Sequence, residues 1–150
     1  MQAAERKYDV MTLASKFCCG LLVLFTLLAC SSHVQSKGKL AELSRDDFMS
    51  AMRWKQYGVA AGMMQHEEDR EHFMTTFREL KDLHITDVRL VKSKSFEGGN
   101  RINVTLEMDY YLPPSVTLET FTFDQTWIYH GEEGSLNQGF LIVTPFPDFP

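Results

Sequence analysis

Residues 101–129 constrain this chain more than any other stretch, because they alternate with a period of two on both sides of a proline pair. Ile102, Val104, Leu106, Met108 and Tyr110 are interleaved with Asn103, Thr105, Glu107, Asp109 and Tyr111. Phe121, Phe123, Trp127 and Tyr129 then alternate with Thr120, Thr122, Asp124 and Thr126, with Gln125 on the apolar side. This is the period of a strand with one buried face. Pro113 and Pro114 force the turn between two such strands, so the stretch reads as one long hairpin. A loop over residues 112–115 sets Tyr111 opposite Val116, Leu106 opposite Phe121, Val104 opposite Phe123 and Ile102 opposite Gln125. On the other face it sets Thr105 opposite Thr122 and Asn103 opposite Asp124, and the two apolar faces coincide.

The second constraint lies at the other end of the chain. An apolar run over residues 17–29 follows Lys16 and ends in small residues. Thirteen residues fall short of the roughly 20 that a spanning helix needs, and the flanks suit a secretory signal peptide better than a membrane anchor. Leu27-Leu28-Ala29-Cys30 resembles a bacterial lipoprotein signal, which implies cleavage between Ala29 and Cys30 and lipidation of Cys30. The alternative is an ordinary signal peptide in which Cys30 is incidental. Glu5 and Asp9 do not suit such a leader, and a start at Met11 gives a short basic n-region. With Ser31 after the cysteine, the resemblance implies the periplasmic face of the outer membrane.

Charge and cysteine usage narrow the function classes. The whole chain carries −5, and residues 1–29 hold three basic and two acidic side chains, which leaves −6 on the remainder. That acidity, with no basic stripe interleaved with aromatics, argues against nucleic acid as a partner. Cys18, Cys19 and Cys30 are the three cysteines. Only Cys30 survives cleavage, so the mature domain has no internal disulfide, no spare thiol nucleophile and no cysteine-rich metal site.

Residues 31–40 are small and polar and read as a solvated tether, part of a 30–43 linker ahead of one domain over 44–150. Ser44-Arg45-Asp46-Asp47 reads as an N-cap. Two short helices, 46–54 and 56–64, follow on either side of a break near Lys55. Phe48, Ala51, Met52, Val59, Gly62 and Met63 share their apolar face, and Trp54 and Tyr57 brace the corner. The run from His66 to His72 has Glu68 one turn from His72, but the two histidines are six residues apart and point to different helix faces. It therefore reads as the solvated, acidic first turn of a third helix, not a metal site. Phe73, Phe77 and Leu80 give that helix its buried side. Residues 85–96 open the sheet, Glu97-Gly98-Gly99-Asn100 turns into the hairpin, and residues 140–144 form the last strand. The fold class is α+β: two to three N-terminal helices on a curved four-stranded antiparallel meander. Phe146 and Phe149, in a proline-rich tail, are placed against its surface.

F-x-x-A-M at Phe48, Ala51 and Met52, W-K-x-Y at Trp54, Lys55 and Tyr57, the pair Ala60-Ala61, and the aromatic strand with Gln125, Trp127 and Tyr129 resemble the nuclear transport factor two-like fold. The resemblance covers residues 44–144. It implies a curved sheet wrapped around helices as a cone that often holds a pocket. It also implies kinship with small bacterial lipoproteins of that fold. Trp54, Tyr57, Tyr110, Glu119 and Gln125 are the candidate pocket residues, with Glu119 the one carboxylate on the apolar face. Asp109 and Asp124 belong to the solvent face, and His84 to a helix-to-strand junction. No residue is assigned a catalytic role, and no cofactor or metal is expected. The fold hosts binding modules and isomerase- or dehydratase-like enzymes alike. A non-catalytic envelope module ranks first, binding a small apolar ligand or pairing with a protein partner or second copy through its threonine-rich sheet face. A pocket enzyme ranks second.

Overall fold

A computed structural model describes residues 36–131 and 138–149. The leader, Ala29, Cys30 and Ser31 lie outside the described residues. Three helices precede four strands: α1 (Lys37–Arg53), α2 (Tyr57–Gly62), α3 (Glu67–Glu79), β1 (His84–Phe96), β2 (Arg101–Tyr111), β3 (Glu119–His130) and β4 (Gly139–Ile142). The strands form one antiparallel sheet in the order β1-β2-β3-β4. This is the helices-then-meander layout expected from the sequence.

Helix α1 starts earlier than expected, because its cap is Ser36 and not Ser44. The Ser36 side chain accepts from the Lys39 N–H at 3.4 Å. The expected tether is therefore helical from Lys37 onward, and Leu40 and Ala41 pack against the core. The physical reason is the stripe Ala41, Arg45, Phe48 and Met52, which runs at helical spacing straight past Ser44 and gives the earlier turns a face to pack. Arg53 ends α1, and Lys55 takes a left-handed conformation (φ 55°) at the expected break. Val59 and Gly62 are exposed, so they do not share the buried face of Phe48; Ala60 and Ala61 take that place in α2.

The hairpin keeps the expected faces but not the expected pairing. Leu106 pairs with Phe123, Val104 with Gln125, Ile102 with Trp127 and Met108 with Phe121, while Thr105 lies opposite Asp124 and Asn103 opposite Thr126. The offset is two residues. The connection runs over residues 112–118, because β3 starts only at Glu119. Pro113 and Pro114 offer no N–H to a ladder and favour extended backbone in the residue before each, which lengthens the loop. An even offset leaves every side chain on its face, so the alternation cannot distinguish the two registers. Strand β1 carries two irregularities against β2, at Thr86 and Val91. Such bulges bend and twist an edge strand, and they curve this sheet around the helices. Gly98 (φ 65°) and Gly99 (φ 91°) supply the left-handed backbone of the β1–β2 turn.

The concave face carries the core. Phe48, Met52, Phe73, Leu83, Leu106, Met108 and Ile142 are fully enclosed. Beyond β4, Phe146 inserts among Phe73 (5.1 Å between ring centroids), Phe123 (5.2 Å) and Phe77 (5.4 Å). Phe149 follows onto Tyr110 (4.8 Å) and Phe121 (5.1 Å). The tail is thus part of the core at this end of the sheet.

Candidate functional site

At the other end of the concave face the packing is open. A cavity of about 320 Å³ lies between the first half of α1 and the sheet. Ile102 and Val104 of β2, Trp127 of β3 and Phe140 of β4 form an apolar floor. Ser93 and Ser95 of β1 and Gly99 of the turn form one wall; Gly38, Ala41, Glu42 and Arg45 of α1 form the other. The residues at 38, 41 and 99 are too small to fill the gap between helix and strands, and this leaves the space. The size is at the lower end of the range typical of small-molecule sites.

Arg45 occupies the inward stripe of α1, one turn before Phe48, where an apolar residue would ordinarily stand. Its side chain is 18% exposed. Nε and Nη2 both donate to Asp46 Oδ1, at 3.3 and 3.2 Å. Glu42, the carboxylate on the same wall, is turned to Lys39 at 3.1 Å. Lys37 donates to Asn100 Oδ1 at 2.9 Å and lies over the Tyr129 ring. Two buried polar atoms on β3, Gln125 Oε1 and Trp127 Nε1, reach no partner among the described residues.

The candidate pocket residues are dispersed. Trp54 is 75% exposed, which overturns its expected bracing role: α1 ends before it and the chain turns away at Lys55. Tyr57 is half-buried between helices, stacked on Phe77 at 4.4 Å, and burial raises its phenol pKa. Tyr110 and Glu119 do come together: the Tyr110 hydroxyl donates to Glu119 Oε2 at 3.0 Å. Burial, then that carboxylate, pushes the Tyr110 pKa up. Glu119 itself is exposed at the start of β3, in the filled end of the sheet. Gln125 is buried and borders a smaller hollow with Lys92, Lys94 and Asp124. None of these five lines the cavity under α1. The floor of that cavity is present in the sequence as the alternating apolar face. Sequence reasoning misses Arg45, because Ser44-Arg45-Asp46 mimics a helix cap; the signal that finds it is the 41-45-48-52 spacing.

The convex face is a charged lattice. Arg89 donates to Asp109 and, at 2.6 Å, to Glu107; Thr120 donates to Asp109 at 2.7 Å and Thr105 to Asp124 at 2.6 Å. The Arg89 guanidinium, then the Thr120 hydroxyl, hold the Asp109 carboxyl below its usual pKa. His84 stacks on Tyr111 at 4.7 Å, away from the cavity floor.

No protein-family model matches the chain, and no curated protein does. Among solved structures, a crystal structure from Xanthomonas campestris pv. campestris described as a "putative polyketide cyclase" matches at 11% identity. The match covers 73% of this chain and 93% of that one, with a TM-score of 0.41.

Proposed function

We propose that this chain is a non-catalytic binding module of the nuclear transport factor two-like kind, tethered to the cell envelope through Cys30, whose cavity takes a small, largely apolar ligand. The carrying observation is the apolar floor of Ile102, Val104, Trp127 and Phe140 under an unfilled space. The ionisable residues that line it, Glu42 and Arg45, are on the helix wall, where Glu42 pairs with Lys39 and Arg45 with Asp46, and the floor carries no ionisable side chain. A floor without an acid or base favours holding a molecule over proton transfer to one, because a general acid or base must lie within hydrogen-bond reach of the reacting atom.

Binding of the neutral fluorophore N-phenyl-1-naphthylamine is the test. Saturable one-to-one binding to the protein, lost when Ala41→Phe fills the wall, supports the binding module; absence of saturable binding contradicts it. The envelope part is tested separately. Cys30→Ser should release the protein from the membrane fraction and remove the lipid mass from the mature N-terminus, and unchanged membrane retention would overturn the anchor. Recovery with the inner membrane would contradict the outer-membrane placement that Ser31 suggests.

A further inference from the structure

Resting on the binding module proposed above, the geometry points to a ligand class: we infer that the cavity takes a single-chain amphiphile with a carboxylate head, and that Arg45 recognises the head. Arg45 stands on the inward stripe of α1 with its side chain 18% exposed, and none of its nitrogens is both buried and unpartnered, so its unbonded N–H groups stay accessible. Its pairing within the chain is partial. Asp46 is the adjacent residue, its side chain is 59% exposed, and a single oxygen accepts from both Nε and Nη2. Nη1 makes no hydrogen bond among the described residues. A guanidinium presents donors on two edges and matches a carboxylate in a two-point pairing, so the edge that carries Nη1 is left for an acceptor.

The surroundings select the rest of the molecule. Facing Arg45 across the cavity, the floor of Ile102, Val104, Trp127 and Phe140 is largely apolar, with Trp127 Nε1 its one side-chain donor, and it suits a hydrocarbon chain better than a charged or multiply hydroxylated body. The competing carboxylate on the same wall, Glu42, is engaged by Lys39, so it does not neutralise Arg45. Ser93 and Ser95 add hydroxyls on the opposite wall. An apolar floor, an incompletely paired guanidinium on the helix wall and flanking hydroxyls together describe a fatty-acid-like ligand.

Sodium octanoate and 1-octanol share a chain and differ at the head. Calorimetric titration of the protein with each, at neutral pH, separates the head from the chain. Octanoate should bind more tightly than octanol. Arg45→Gln should weaken octanoate about tenfold or more, as expected for loss of a charge-assisted hydrogen bond, and affect octanol far less, so that the preference for octanoate collapses. Arg45→Lys should retain part of the preference. A thermal melt like that of the unaltered protein certifies that the variant is folded. Equal binding of the two probes, insensitive to Arg45→Gln, would overturn the carboxylate inference while leaving the binding module intact. Failure of both probes to bind would overturn the inference and the binding module together.

Discussion

The two ends of the concave face are built from the same alternating strands and finish differently. At one end Phe73, Phe77, Phe121 and Phe123 meet Phe146 and Phe149 from the tail, and the space is filled by rings at 4.7 to 6.4 Å. At the other end Ile102, Val104, Trp127 and Phe140 meet Gly38, Ala41 and Arg45, and about 320 Å³ stays open. The strands supply an apolar surface along their whole length; what covers it decides whether a given part is core or cavity. Aromatic side chains from a tail make core. Small residues and one arginine from a helix leave a cavity.

The filled end should show the largest effects. Phe146→Ala should cost about 3–5 kcal/mol, a large share of the roughly 5–15 kcal/mol that stabilises a domain, because the ring packs against Phe73, Phe77, Phe121 and Phe123. A denaturant titration reads this directly, and a loss under about 1 kcal/mol would mean that the tail is not core. The same end should respond to alkali. Tyr57 and Tyr110 have raised pKa values, so their contribution is fully present below the ordinary tyrosine value of 10.0 and is lost as pH rises through their folded values. Denaturation midpoints should therefore fall above about pH 10, and Tyr110→Phe should flatten part of that fall.

At the open end and on the convex face the expected stability changes are smaller. Arg45→Met should alter stability by less than about 1 kcal/mol, since an apolar side chain of similar length keeps the packing of the arginine stem and only an ion pair with a largely exposed Asp46 is lost. A substantial loss would make Arg45 a structural residue. Asp109 on the convex face matters in acid. Its lowered pKa means that its pairing with Arg89 stabilises the fold above the ordinary carboxyl value of 3.8 and is lost as pH falls through its folded value. Asp109→Asn should remove that part of the acid sensitivity in a pH series of thermal melts. Smallest of all, Thr122→Ala on the same exposed face should stay within about 0.5 kcal/mol in the denaturant titration that reads Phe146→Ala.

The alternation of residues 101–129 makes the sheet, its buried face and the meander legible, because a period of two is a local property of the chain. The pairing is legible only to within an even number of residues, since loop length is set by the backbone of residues 112–118 and not by the pattern. The start of α1 is obscured for a similar reason: Ser36 and Ser44 both satisfy the local rule for a cap, and only packing against the sheet selects the first. Of the cavity only the floor is legible, as the alternating apolar face, and not its place or its helix wall. The cavity follows from which small residues of α1 lie over which apolar residues of β2, β3 and β4, and that is a juxtaposition across the fold.

Whether the open end admits a ligand can be read at single residues. The chain holds two tryptophans, Trp54 exposed outside the cavity and Trp127 on its floor. Nitrogen-labelled indole resonances therefore give one reporter for the site and one control. On titration with 1-octanol the Trp127 signal should shift saturably while the Trp54 signal stays fixed. A Trp127 signal that does not move, or two signals that drift together without saturating, would contradict a ligand site between α1 and the sheet.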